Sequence, residues 1–222
     1  MGANGFDGTV WLRREPERPR RPTPLTRERI VGSAVELLDA HGAEGLTMRR
    51  LAQQLAVTPT ALYWHVRTRD DVLDLAFDHV FAEVEIPAAG DDWRDDVRLL
   101  VRRWRAVMLR HAWAPGLVGR PMLGPNVLAR TEFLQAALVR GGLTGARLTV
   151  LTRLLANYVI GAALTEATWR GSADSTARAD ARRLITADRE AYPTLDASGH
   201  LDEGLDDDVL FDRGLDAILS TA

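Results

Sequence analysis

The 222 residues are 46% hydrophobic, enough to bury one sizeable core or two small ones, and they include no cysteine, which excludes disulfides, thiol catalysis and cysteine metal sites together. The formal charge of −3 is unevenly spread: residues 1–70 hold eleven arginines against eight acidic residues, and residues 71–222 hold seventeen against twenty-three. A positive field therefore sits at the N-terminal end, and since all 28 basic residues are arginine, each offers a planar fork for phosphate or guanine.

Residues 1–25 read as a flexible arm, in which Pro16, Pro19, Pro22 and Pro24 interrupt helix formation among Arg13, Arg14, Arg18, Arg20 and Arg21. Such a segment suits either a minor-groove arm or a solvated tail. No apolar run of secretory-signal length opens the chain. The longest apolar stretch, 148–164, is interrupted by Arg153 and Asn157, so a cytoplasmic protein with no membrane span is expected.

Helical spacing begins at Thr26, a predicted N-cap followed by Glu28 in the first turn and by apolar positions at Ile30, Ala34, Leu37, Leu38 and His41, and Gly42 ends the run. Thr47 caps a second helix whose buried stripe is Leu51, Ala52 and Leu55. Ala56 and Val57 form a corner. Thr58 caps a third helix, with Pro59 at the first position, where its missing N–H costs nothing, and with Leu62 and Val66 turned inward. Small Ala52 and Ala56 let the two helices cross at the steep angle of a helix-turn-helix. The outward face carries Thr60, Ala61, Tyr63, Trp64 and His65, flanked by Arg49, Arg50, Arg67 and Arg69. Two amphipathic helices around a short turn also occur in folds that never meet nucleic acid. Tyr63 and Trp64 fall outside the i, i+4 core stripe, which favours DNA.

Further along, 70–84 predicts a bracing helix with Val72, Leu75, Ala76, His79 and Val80 on one face, stopped by Pro87 and Gly90. Residues 91–112 predict another, burying Val97, Leu100, Val101, Trp104, Met108 and Leu109. Its leading Asp91, Asp92, Asp95 and Asp96 complement the helix dipole more simply than they bind a metal. Residues 113–125 are rich in Pro and Gly and read as irregular with one short helix. Helices are expected over 126–140, 146–169, 176–192 and 207–219, and a mobile loop over 193–208. No segment alternates with a period of two for long enough to suggest a sheet, so the fold class is all-α: a three-helix helix-turn-helix domain at 26–70 and a larger helical domain at 71–222.

The stretches ERIVGSAVELLDAHG, GLTMRRLAQQL and LYWHV followed by a charged turn resemble the TetR family of transcriptional repressors, and within it the tetracycline-repressor type of DNA-binding domain. The likeness covers 25–84 and persists more weakly from the Trp93 helix to the final GLDAIL. It implies a homodimeric, ligand-responsive repressor on a palindromic double-stranded DNA operator, with the helices at 146–169 and 209–219 of two subunits forming a four-helix bundle. It also implies that Arg49 reads a base edge, that Thr47, Tyr63, His65 and Arg69 hold phosphates, and that residues 58–61 face bases.

Trp104, Met108, Trp113, Met122, Phe133, Asn157, Tyr158, Thr165 and Trp169 combine aromatic walls with few polar groups, as a pocket for a small apolar or aromatic effector does. Such residues at helical spacing equally serve as plain core. Where family members that take a magnesium chelate carry polar and metal-binding side chains, this chain has Glu85, Leu100, Gly116 and Leu134, and a pocket phenylalanine becomes Trp104. No metal or other cofactor is therefore expected, and the effector should be an antibiotic-like or biosynthetic compound. The five histidines form no HExxH pair, and neither GxSxG nor GxGxxG is present, so an enzyme is not expected. The alternative reading is a ligand-independent DNA-binding regulator with a filled C-terminal core.

Overall fold

The computed structural model describes residues 24–117, 119–120, 123–171, 177–199 and 206–221, and every element among them is helical. The expected arm, Pro24 and Leu25 apart, lies outside the described residues, as does Met122.

Helix α1, Arg27–Gly45, starts where the Thr26 hydroxyl accepts from Arg29 N at 3.3 Å, and it buries Ile30, Val31, Ala34, Leu37 and Leu38. Gly42 takes φ +66° and breaks the helical geometry at the expected stop, although a last turn carries on to Gly45. The buried stripe closes at Leu38, so His41, predicted to lie on it, is exposed. Helices α2, Met48–Gln54, and α3, Pro59–Leu62, complete the N-terminal body.

Helix α4, Arg69–Phe81, opens with a reciprocal cap between Thr68 and Asp71. It buries Val72, Leu73, Ala76, Phe77, Val80 and Phe81, whereas Leu75 is only half-buried and His79 is exposed. The buried face is rotated from the predicted one because α4 is packed on two sides, by α1 and by the C-terminal helices. His79 instead faces solvent in the last turn, where the dipole favours it.

Helix α5, Trp93–Arg110, is capped by Asp92, which accepts from Arg94 N at 2.8 Å. Asp96 departs from the dipole reading: it is buried, accepts from Gly90 N at 3.0 Å and pairs with Arg140 at the end of the next helix. A single 3-10 turn, Pro115–Leu117, is the short helix of the irregular segment. Then follow α6 Pro125–Arg140, α7 Gly145–Gly171, α8 Ala177–Ala187, α9 Pro193–Ser198 and α10 Asp207–Ser220. Helix α9 lies within the segment predicted as a loop, because Pro193 occupies a first-turn position and starts a helix there.

One continuous set of buried apolar side chains runs from Ile30 in α1 to Leu219 in α10, with α5 packed against both α6 and α7. Charge holds α10 to α5: Arg98, Arg102 and Arg105 meet Asp216, Asp212 and Asp208 at 2.8, 2.7 and 2.6 Å. On the other side of α10, Tyr158 Oη donates to Phe211 O at 2.8 Å, and a Cβ at Gly214 would strike that phenol.

Candidate nucleic-acid interface and effector cavity

The helix-turn-helix is held by local bonds that leave its outer surface free. Thr47 Oγ1 accepts from Arg50 N at 3.1 Å and Thr58 Oγ1 from Ala61 N at 3.3 Å. Accepting in a cap leaves each hydroxyl proton free to donate outward. At the corner Ala56 takes φ +54°, and Val57 N returns to Ala52 O at 3.0 Å. Leu62 (0% exposed) and Val66 (3%) anchor α3, and His65 N and Val66 N both reach Leu62 O. That anchoring leaves Tyr63 51% and Trp64 85% exposed. Arg49 and Thr60 are exposed, and the Arg49 guanidinium makes no hydrogen bond or ion pair among the described residues. Ala61 and His65 are half-buried, and the His65 carbonyl accepts from Arg27 at 3.4 Å.

Arg69 stands apart from the phosphate expectation. Its Nε donates to Leu46 O at 2.8 Å and its Nη2 to Ala43 O, so the guanidinium ties the start of α4 to the α1–α2 connection. Arg50 likewise donates to Gly45 O at 3.2 Å.

The residues expected at an effector pocket separate into groups. Tyr158, Thr165 and Trp169 line a cavity of about 270 Å³ between α5, α7 and α10, together with Arg105, Glu166 and Phe211. Tyr158 stacks on Phe211 at 5.1 Å, and burial pushes its phenol pKa up. Trp104 packs edge-on to Phe81 at 5.2 Å, with its enclosed Nε1 lacking a partner among the described residues. Met108 is buried, and Phe133 is half-buried against the same core. Trp113 is buried at the α1 side instead, donating to Asp39 Oδ1 at 2.7 Å, and Asn157 is exposed.

Sequence reasoning missed Arg105 and Glu166. The guanidinium lies 3.1 and 2.5 Å from Glu166 Oε2 and 4.7 Å over the Phe211 ring. Burial opposes its charge, but the bonds to Asp208 and Glu166 outweigh burial and raise its pKa. A legible signal existed in the three aspartates of α10 at every fourth position.

A second set of polar contacts joins α4 and the residues just after it to the segment before α6 and to α6 itself. Arg120 Nε donates to Asp74 at 2.7 Å, Asp78 accepts from Asn126 N and Val127 N at 2.9 and 3.1 Å, and Arg130 donates to Val84 O and Ala82 O, both at 2.8 Å. A further cavity of about 260 Å³ lies between Leu75, Phe77, Leu123 and Val127.

An anchored helix-turn-helix presenting aromatics and a free arginine, braced on a larger helical body, defines a DNA-binding transcriptional regulator. Residues 30–76 match the family described as "Bacterial regulatory proteins, tetR family", and residues 86–221 the one described as "Tetracyclin repressor-like, C-terminal domain". The chain belongs to the TetR family. It is 43% identical over 215 residues to an HTH-type transcriptional regulator of Saccharopolyspora erythraea, covering 96% of this chain and 90% of that protein. Among solved structures it is similar to Streptomyces coelicolor ActR in complex with actinorhodin, with a TM-score of 0.82 and 32% identity over 90% of this chain and 97% of that one. It is also similar to BioQ with its double-stranded DNA operator, with a TM-score of 0.60 and 30% identity over 65% and 89%.

Proposed function

We propose that this regulator is a homodimeric, ligand-responsive repressor that reads a palindromic double-stranded operator and leaves it when a small apolar or aromatic effector binds. The carrying observation is the contrast across α3, where Leu62 and Val66 are buried and Tyr63 and Trp64 are left in solvent beside Arg49. In this reading Arg49 donates to a base edge, Thr47, Tyr63 and His65 hold phosphates, and Thr58, Thr60, Ala61 and Trp64 face bases. The division into domains falls near residue 70, with α4 as the joint.

The dimer rests on α7. This helix is long and apolar enough to cross a bilayer, yet only 22% of its most apolar stretch is buried. Val150, Leu154 and Leu164 are exposed on it, and Val209 and Leu210 on α10. Apolar surface of this kind calls for a cover, and a second copy of the same helices supplies one with two-fold symmetry. The symmetry sets two recognition helices about 34 to 36 Å apart, one helical turn of DNA. A cytoplasmic protein without a membrane partner follows from the same reading.

The cavity beside Tyr158, near the lower size limit of ligand pockets, favours an effector over a filled body. ActR's complex with actinorhodin supports the same reading. Effector binding shifts the segment around Pro115–Leu117, and the bonds of Arg120 and Asp78 pass that shift to α4, which respaces the recognition helices. Linkage requires the effector to prefer the released state by about 1 to 3 kcal/mol. The test is a gel shift on a duplex selected by the wild type from random DNA. The Arg49→Ala, Tyr63→Ala double variant should no longer shift it, and actinorhodin, as first probe, should release the wild type. Undiminished binding by the double variant would overturn the DNA reading. Equal affinity of a bound effector for free and operator-bound protein would overturn the repressor cycle.

A further inference from the structure

Where α1, α4 and α5 meet, His111 is 6% exposed and stands between two carboxylates from different elements. Its Nδ1 lies 2.7 Å from Asp39 Oδ1 on α1, and its Nε2 lies 3.2 Å from Glu83 Oε1 just beyond α4. Carboxylate oxygens only accept, so both contacts are hydrogen bonds only when both ring nitrogens carry a hydrogen. A neutral imidazole carries one. Around this pair, Trp113 Nε1 donates to the same Asp39 oxygen at 2.7 Å, and Arg110 reaches Glu83 at 2.9 Å. The charged groups about the ring are therefore Asp39 from α1, Glu83 from the end of α4, and Arg110 from its own helix, acting through Glu83.

We infer that His111 is a positioning residue for operator binding. As an imidazolium it pins both α1 of the DNA-reading body and the end of α4 to the end of α5, and it drops one pin when it gives up a proton. The remaining proton stays on Nδ1, where the bond is shorter and Trp113 also holds the acceptor. The lone pair on Nε2 then faces the Glu83 carboxylate and is repelled, while Glu83 keeps Arg110. The end of α4 is released and α1 is kept. Since α4 joins the recognition helices to the rest of the molecule, the released form holds their spacing less firmly. The pinned form is the one with a hydrogen on both ring nitrogens, so operator affinity is higher with the doubly protonated ring than with the neutral one. The inference rests on operator binding by this chain, but the state of the ring can be read without DNA.

The experiment combines two measurements on the full chain. Nitrogen-15 shifts of the His111 ring report whether one or both nitrogens are protonated. Fluorescence anisotropy on the duplex selected by the wild type follows affinity from about pH 5.5 to about pH 8. Wild-type affinity should fall roughly fivefold or more across that range, the lower end of allosteric couplings. His111→Gln donates to one carboxylate only and should lose the part of the slope due to His111, lying at the weak limit. Glu83→Gln should also lose that part of the slope but lie at the tight limit, because its amide donates to the bare Nε2 and restores the pin without a proton. The other four histidines, His65 among them, are common to all three proteins, so the comparison reads the difference in slope between wild type and each variant. A His111 ring that is neutral at about pH 6, or equal slopes in wild type and Glu83→Gln, would overturn the inference, and neither outcome depends on the His111→Gln protein folding. A wild type that selects no duplex would overturn DNA reading itself, leaving the ring shifts to judge the pin.

Discussion

Leu62 and Trp64 are two positions apart, and one is fully enclosed while the other offers 85% of its surface to water. An aromatic held outward on an anchored helix contributes little to folding and much to contact, so Trp64→Ala and Arg49→Ala should each weaken operator binding by about 1 to 3 kcal/mol with an unchanged melting temperature. Anisotropy and a thermal melt on the same samples check both halves. Arg69→Ala should behave in the opposite sense, lowering the melting temperature by the equivalent of about 1 to 3 kcal/mol, because it strips the hydrogen bonds to Leu46 O and Ala43 O. Ala56→Gly should stabilise by up to about 1 kcal/mol in chemical denaturation, since Ala56 holds a left-handed φ that glycine adopts without strain. At this scale the legible residues are those with local partners: Thr47 and Thr58 cap an N–H three residues on, which a one-dimensional pattern contains. Arg69 finds its acceptors 23 and 26 residues back, and no spacing rule announces them.

Helix positions follow from apolar periodicity, but the face each helix buries depends on what packs against it. Residues 70–84 were recognisable as a helix, whereas the rotation that buries Leu73 and Phe77 and exposes His79 is set by neighbours on two sides. Asp96 illustrates the same limit, since it looked like a dipole acid and is a buried tie between α5 and α6. The Arg140 hydrogen bond, foremost, and the Gly90 N–H hold its pKa below the ordinary carboxylate value against the opposing effect of burial. A carboxyl depressed in the folded state contributes stability above its unfolded pKa and loses it as pH falls through the folded one. Between about pH 5 and about pH 3 the wild type should therefore lose melting temperature more steeply than Asp96→Asn, as followed by calorimetry. Parallel slopes would mean the tie adds no pH-dependent stability.

For the molecule as a whole, the all-α class and the family were readable from the chain, while the grouping of the effector residues was not. Tyr158, Thr165 and Trp169 share a helix and meet around a cavity, but Trp113 is drawn to Asp39 on α1, 74 residues earlier. Quaternary structure belongs to this scale. Leu154→Glu puts a charge in the middle of the exposed face of α7 and should shift sedimentation at micromolar concentration from dimer to monomer. Operator affinity should fall with it, because half-sites one turn apart need two linked readers. A Leu154→Glu protein that sediments and binds as the wild type does would place the subunit contact elsewhere.

The three charged rungs between α5 and α10 are a periodic comb, and a comb fits in more than one phase. Advancing α10 by a single helical turn, about 5.4 Å, would offer Asp212 to Arg105 and Asp216 to Arg102. Phe211, Leu215 and Leu219 repeat with the same period, but neither leucine reproduces the ring that stacks on Tyr158 and lies under Arg105. The Phe211 ring and the aperiodic notch at Gly214, seated under the Tyr158 ring, select one. A lone methyl added there should make the C-terminal helix skip a tooth, misaligning every surface it shares with a neighbouring copy while sparing most of its charges.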